Sequence, residues 1–160
     1  MILSMARREV ITARPDDSVR DVANLMQYYN VGCVVVVQDD RPVGIVTDRD
    51  LALRVLAETA DEKIPQLLIS EVMTRPPQAI LEEESVSKAV ELMRNAGARR
   101  LPVVDRRGRL RGLVTLDDLI EAAGSQLSEI AGLIRRQQKA PKRALPKPPP
   151  PKPMEIAIRS

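Results

Sequence analysis

One stretch of this chain occurs twice. Ser18-Val19 followed by Leu25-Met26 returns as Ser85-Val86 followed by Leu92-Met93, 67 residues on. Gly44-Ile45-Val46-Thr47-Asp48-Arg49-Asp50-Leu51 returns as Gly112-Leu113-Val114-Thr115-Leu116-Asp117-Asp118-Leu119, now 68 residues on. The offset changes between the two matches. It does so where Asp39-Asp40-Arg41-Pro42 faces Asp105-Arg106-Arg107-Gly108, turns in which an insertion is tolerated. A duplication of this size makes the chain two copies of one supersecondary unit, and 160 residues leave room for one compact body rather than two independent cores.

Each copy predicts the order βαββα. Residues 10–13 form a short extended segment ended by Arg14-Pro15, because the residue before proline is pushed away from helical angles. A helix follows, capped by Asp17 or Ser18, with Val19, Val22, Ala23 and Met26 at helical spacing. Residues 33–37 are continuously apolar and mostly β-branched, the pattern of a strand buried on both faces. A turn, a strand over 43–46 and a helix from Thr47 to about Leu56 complete the unit. The second copy predicts an extended segment at 79–81, a helix over 85–95, strands over 101–104 and 110–114, and a helix from Thr115. Pro102 cannot donate to a ladder, which predicts an edge or strand-start position.

Three short strands and two helices do not cover their own apolar sheet, whereas two copies packed sheet to sheet do. The expected architecture is α+β with pseudo-twofold symmetry and clefts between the copies. The boundaries read as 5–60 and 72–124 for the repeats, 61–71 for a linker, 125–139 for a C-terminal helix and 140–160 for a tail. In the C-terminal helix Ile130, Leu133 and Ile134 form a stripe that packs on its own body or on a twin copy. The tail contains Pro148-Pro149-Pro150-Pro151 and is expected to be disordered or polyproline II.

Composition narrows the chemistry. Phe and Trp are absent and the only aromatics are Tyr28 and Tyr29, so the core is aliphatic. The chain has no His, which removes the commonest general base and the usual Cys/His zinc ligands. The single cysteine, Cys33, reads as a small buried hydrophobe. No apolar run is long enough to span a membrane and no secretory signal is present, so a cytoplasmic location is expected. Charge is uneven: residues 135–160 carry eight Lys and Arg against Glu155, a net of +7 within a chain whose total is +3. The basic tail is either a solvated linker or a nucleic-acid or membrane contact, and it lacks aromatics for base stacking.

The helix from Ser18, the strand of residues 34–37 and the phrase beginning at Gly44, with counterparts ending in Arg100-Leu101-Pro102-Val103-Val104-Asp105 and the phrase from Gly112, resemble the tandem CBS domain family, the Bateman module. The likeness covers roughly residues 5–124 and includes Val72-Met73-Thr74. It implies a regulatory, non-catalytic module whose clefts bind an adenosine-containing ligand (AMP, ADP, ATP or S-adenosylmethionine), commonly as a homodimer signalling to a partner protein. Some relatives carry such a pair inside a dehydrogenase, but this chain lacks the barrel that catalysis needs, and no metal or catalytic cofactor is expected. A ligand-free dimerisation module and nucleic-acid binding through the tail are the alternatives.

The resemblance also places a Gly-x-x-Thr-x-x-Asp pattern at the nucleotide, matched by Gly44, Thr47 and Asp50 and by Gly112, Thr115 and Asp118. The chemistry is independent of the family. A carboxylate accepts both hydrogens of a ribose diol, a Thr hydroxyl donates to phosphate, and residues three apart in a first helical turn share a face. The same spacing is a capping box. Arg99 and Arg100 are the candidate phosphate partners, expected beside the second copy's Asp118, or else a solvated pair at a strand end. Base contacts are expected at Thr12, Ala13, Ala79 and Ile80, with aliphatic side chains sandwiching the adenine.

Overall fold

The computed structural model describes residues 1–139, with side chains to 136. The expectations for the tail fall outside the described residues. Residues Met1–Ser125 form one compact unit and a second begins at Gln126.

The two copies are visible as two three-stranded sheets of the same topology. In the first, β1 (Thr12–Ala13) runs parallel to β2 (Cys33–Gln38), which turns into antiparallel β3 (Arg41–Thr47). In the second, β4 (Ile80–Leu81), β5 (Arg100–Val104) and β6 (Leu110–Thr115) repeat the order. Helix α1 (Val19–Tyr29) lies between β1 and β2. Ser18 Oγ caps it by accepting from Asp21 N–H at 3.0 Å, and it ends at Asn30 in the left-handed region. After β3 a single α-helical turn, α2 (Asp48–Asp50), continues as a π-helical stretch over Leu51–Leu56. Helix α3 (Ile69–Val72) precedes the second copy. There α4 (Val86–Ala96) is capped by Ser85 and ends at Gly97 with φ 61°.

The change of offset sits in the hairpins, as the repeat comparison requires. Gln38 pairs with Arg41 across Asp39 and Asp40, which both have positive φ (51° and 61°), the backbone a two-residue hairpin turn demands. The second hairpin is longer and is anchored by Asp105. Its Oδ1 accepts from the Arg107 and Arg109 N–H groups at 2.9 Å each, and its Oδ2 from Arg109 Nε at 2.8 Å. Those hydrogen bonds hold the Asp105 carboxyl below its ordinary range.

Pro102 departs from the expectation of an edge strand. It lies in β5, the middle strand of its sheet, and is fully buried. Its missing N–H is felt elsewhere. Val35, its counterpart, donates to Ile11 O at 3.1 Å, and Thr12 pairs with Val35. The equivalent pair at Ala79 and Pro102 is absent, so β4 pairs with β5 only from Ile80 onward. The sheet accommodates proline by starting its neighbour's pairing one residue later.

The repeat also begins earlier than residue 5, and its leading segments are exchanged. Ile2 N–H donates to Glu84 O at 2.8 Å, and Arg7 forms a two-bond bridge with Leu113 of β6 (2.9 and 3.0 Å). Sixty-seven residues on, Ile69 N–H donates to Asp17 O at 2.9 Å and Thr74 forms the same bridge with Ile45 of β3 (2.9 and 3.1 Å). Ile2 is buried in the core of the second copy with Ile80, Met93, Leu101, Val103 and Val114. Ile69, Val72 and Met73 are buried in the core of the first with Val22, Met26, Val34 and Val46. The stretch between the repeats is therefore built into the first copy from Ile69 onward. Val35 and Pro102 are buried outside both cores, on the faces the sheets turn toward each other.

Where two helices were expected after β6, there is one, α5 (Leu116–Lys139). No helix among the described residues is long and apolar enough to cross a membrane.

Candidate functional site

Both Gly-x-x-Thr-x-x-Asp patterns make the same Thr–Asp hydrogen bonds at a helix start, and the capping reading holds for each. Thr47 ends β3, and its Oγ1 accepts from Asp50 N–H at 3.2 Å. Asp50 Oδ2 in turn accepts from Thr47 N–H at 2.9 Å and Thr47 Oγ1 at 3.0 Å. Thr115 and Asp118 repeat the arrangement at 3.1, 2.9 and 2.7 Å. The single hydroxyl proton is already donated to the aspartate, so either Thr donates to a phosphate only by releasing that bond. The carboxylates retain capacity: Oδ2 takes both capping bonds, and Oδ1 meets one guanidinium in each copy. A carboxylate has about four acceptor positions, so one on Oδ1 remains for a ribose hydroxyl. Capping and ligand binding are compatible at these residues.

The guanidiniums differ. Asp50 Oδ1 is 3.5 Å from Arg54 Nη2, in its own helical turn, and Arg54 also donates to Val72 O at 2.8 Å and Thr74 Oγ1 at 3.1 Å. Asp118 Oδ1 accepts instead from Arg7 Nε at 3.1 Å. Arg7 arrives on the exchanged N-terminal segment, at the position that Thr74 holds in the first copy. Burial pushes the Asp118 carboxyl up, but bonds from the Thr115 hydroxyl and N–H and from Arg7 outweigh it and hold the group below its ordinary value.

Two clefts open between the copies, and each joins the Thr turn of one copy to the helix–strand loop of the other. The first, about 500 Å³, is bordered by Thr47, Arg49 and Asp50 of the first copy and by Arg99 and Arg100 of the second. Ile45, Ala96 and Ala98 supply its small apolar walls. The second, about 260 Å³, is bordered by Thr115 and Asp117 of the second copy and by Asn30, Val31 and Cys33 of the first. Arg7, Glu9, Val10 and Ile11 complete it.

This corrects the expected pairing of Arg99 and Arg100 with Asp118. The pseudo-twofold carries the loop before β5 across to the other copy's Thr turn, so Arg99 lines one cleft with Thr47 and Asp50, and Arg100 borders both clefts. The first cleft then holds three arginines against Asp48 and Asp50, while the second balances Arg7 and Arg100 against Glu9 and Asp117. The more cationic cleft is the first. Arg99 also approaches Asp117 at 3.5 Å with both side chains exposed, a contact of little strength in water.

The four residues expected at the base are not brought to either cleft. Thr12 borders a separate depression with Asp40, Arg109 and Arg111, Ala13 and Ile80 are buried in the two cores, and Ala79 lies between. Val10 and Ile11, just upstream, line the second cleft instead. Gly44 and Gly112 are explained by packing. A Cβ on Gly112 would stand 2.9 Å from Arg7 O and 3.1 Å from Ala6 Cβ, and one on Gly44 would overlap the Met73 side chain. The exchanged segments cross the sheets there. Reasoning from the sequence missed Arg7, Arg49, Arg54 and Thr74; extending the 67-residue offset back to Ile2 would have aligned Arg7 with Thr74.

Cys33 is buried at the margin of the second cleft, and burial pushes its thiol up to about 11.

The CBS domain family matches the chain twice, over residues 2–57 and 69–125. The chain is 37% identical over 129 residues to CBS domain-containing protein YhcV of Bacillus subtilis, covering 77% of this chain and 89% of that one. It is 36% identical over 118 residues to protein MK0525 of Methanopyrus kandleri, covering 73% of this chain and 59% of the relative. The inosine-5'-monophosphate dehydrogenase of Methanocaldococcus jannaschii matches at 35% identity over 115 residues, which is 71% of this chain and 22% of the dehydrogenase. Among solved structures, the CBS domain pair of protein MJ0100 in complex with 5'-methylthioadenosine and S-adenosyl-L-methionine superposes with a TM-score of 0.69 at 27% identity. It covers 79% of this chain and 97% of that one. CBSX2 in complex with AMP superposes with a TM-score of 0.66 at 27% identity, covering 78% and 96%. With the repeat, the paired sheets and the twice-matched family in agreement, this chain belongs to the CBS domain family as a tandem pair.

Proposed function

We propose that this chain is a regulatory module that binds an adenosine-containing nucleotide, AMP, ADP, ATP or S-adenosylmethionine, in the cleft at Thr47 and Asp50. One observation carries the reading: three guanidiniums, Arg49, Arg99 and Arg100, border the same cleft as a carboxylate with an open acceptor position on Oδ1. Asp50 takes a ribose hydroxyl, the arginines take phosphate, and Ile45, Ala96 and Ala98 face the base. Arg recognises phosphate through paired, charge-assisted bonds of about 1.5–3 kcal/mol each.

Occupancy favours one packing of the two copies, and a partner protein reads that shift. The working form is a cytoplasmic homodimer without catalytic activity. Thr115, with Arg7 and Arg100 set against Glu9 and Asp117, borders a second, electrically balanced cleft that suits a ligand with less negative charge. Relatives in the same family hold AMP, or 5'-methylthioadenosine and S-adenosylmethionine, and they support the ligand class.

Calorimetric titration of the full chain with AMP, ATP and S-adenosylmethionine tests this. Asp50→Ala is expected to weaken AMP binding by roughly tenfold or more, as does Arg99→Ala, since each removes about 1.4 kcal/mol or more. No millimolar or tighter binding of any of the three by folded protein would sink the proposal. If Asp118→Ala weakens AMP binding and Asp50→Ala does not, the cationic cleft is not the nucleotide site.

A further inference from the structure

The last described turns of α5 carry a surface for which neither the fold nor the nucleotide reading has a use. Leu127, Ile130, Leu133 and Ile134 are each more than half exposed, at 67, 54, 58 and 51%. At 3.6 residues per turn these four fall within an arc of about 120°. A helical segment of this length is marginal in water by itself, and an apolar stripe of that width is the pattern of a helix that packs on another.

The charges beside the stripe choose the occupant. Glu129 and Arg136 are seven residues apart and stand on one flank of the arc, and neither has an ion-pair partner among the described residues. Gly132 lies between them, and with Ser128 and Leu133 they border a groove of about 510 Å³. A Cβ on Gly132 would meet nothing within 4 Å, so the floor of the groove is open.

We infer that this face pairs antiparallel with the same face of a second copy, about a twofold axis passing beside Gly132 and Leu133. That register is self-complementary. Glu129 meets Arg136 of the partner subunit and Arg136 meets its glutamate, Ile130 packs on Ile134 in both directions, and the two Leu133 side chains meet beside the axis. A parallel pairing in register would set Arg136 against Arg136. The two reciprocal ion pairs are exposed and fix direction more than strength, and the aliphatic seam supplies the affinity.

The inference stands apart from nucleotide binding and is tested without any ligand. In a Cys33→Ala background, Leu133→Cys and Leu127→Cys proteins are oxidised gently and resolved on non-reducing gels. Both positions are exposed, and circular dichroism verifies that each variant is folded. In the antiparallel register the Leu133 positions of the two copies lie beside the axis and form a disulfide. The Leu127 positions are offset by about eleven residues, roughly 16 Å, beyond a disulfide's reach of about 7 Å between Cα atoms. Dimer from Leu133→Cys alone is the expected result. Equal bands from both variants mean parallel pairing or random collision, and no band from either means no pairing; each overturns the inference. By sedimentation equilibrium, Glu129→Arg and Arg136→Glu singly are expected to weaken self-association roughly threefold to tenfold, and the two together to restore it. Failure of the double exchange to recover would overturn the register.

Discussion

Arg7 and Asp118 are 111 residues apart in the chain, yet Arg7 Nε donates to Asp118 Oδ1 at 3.1 Å. The contact exists because the leading segment of the first repeat crosses to the second sheet, where Arg7 bridges to Leu113 of β6. It ties the N-terminus to the aspartate that also caps α5. The first copy has no such tie: its aspartate meets Arg54, which anchors the crossing segment through Val72 O and Thr74 Oγ1. Two copies of one unit thus stabilise the same junction with an arginine drawn from different places.

The stability contributed by Asp118 is expected to depend on pH. Its carboxyl titrates lower in the folded chain than in the unfolded one. The contribution is therefore fully present above the ordinary carboxylate value, about 3.9, and is lost as pH falls through the depressed folded value. Asp118→Asn keeps one amide oxygen to accept from the Thr115 N–H but loses the charge and the second oxygen that meets Arg7, and is expected to cost about 1 kcal/mol at pH 7. In urea unfolding the gap between wild type and variant is expected to narrow steadily below pH 4. A gap of constant size from pH 7 to pH 3 would mean that the charge on Asp118 contributes nothing.

Gly44 and Gly112 are expected to respond differently to a methyl group. At Gly112 the new Cβ meets backbone, Arg7 O, and Ala6 Cβ, neither of which yields without moving the strand. At Gly44 it meets only the Met73 side chain, which is flexible. Overpacking of this kind costs about 1–3 kcal/mol, and Gly112→Ala is expected to be the more harmful change. Met73 is the counterpart of Ala6, and Met73→Ala with Gly44→Ala makes room for the new methyl by shortening the side chain it would meet. The double variant is expected to be more stable than the sum of the two single losses by roughly 1 kcal/mol or more. Additive losses in thermal unfolding would rule out the contact as the reason for glycine.

Much of this architecture was legible because the duplication is. The 67-residue offset fixed α1 against α4 and β2 against β5, and the step to 68 located the longer hairpin at Asp105. What escaped was the part carried by weak likeness. Ile2 to Arg7 and Ile69 to Thr74 share only their leading isoleucine, so backbone pairing, which is indifferent to side chains, hid the exchange. The cleft partners escaped for a related reason. The sequence orders Arg99 and Arg100 beside Thr115, and only the pseudo-twofold packing of two sheets carries them to Thr47. Base contacts are expected at Thr12, Ala13, Ala79 and Ile80 through backbone groups and apolar packing, whereas the alternation of a short strand turns Ala13 and Ile80 into the cores.

The two first helices end in the same conformation with different residues. Gly97 closes α4 at φ 61° and Asn30 closes α1 at φ 51°. A Cβ on Gly97 would meet nothing within 4 Å, so Gly97→Ala tests backbone conformation alone. The expected cost is about 1 kcal/mol, read from chemical denaturation. Gly97→Asn, copying the first copy, is expected to recover part of it. Equal stability of the alanine variant and wild type would mean that α4 ends without needing the left-handed residue.

Cys33 offers a test of burial at the margin of the second cleft. Its side chain is buried beside Thr47 in the sheet, and loss of hydration pushes the thiol up to about 11. Arg100 draws that value down and Asp50 and Asp48 push it further up, but desolvation is the largest cause. The folded value is raised, so stability is fully present below the thiol's unfolded value near 8.5 and is lost as pH rises toward the folded one. Between pH 9 and 11 the wild type is expected to lose on the order of 2 kcal/mol more than Cys33→Ala, which has no thiol to ionise. At pH 8 the native protein is expected to react slowly with a thiol-specific reagent and the urea-unfolded chain quickly, because the thiolate is the nucleophile. Fast reaction of the folded chain at pH 8, at a rate matching the unfolded one, would mean that β2 opens readily and that the interface between the sheets does not exclude water at Cys33.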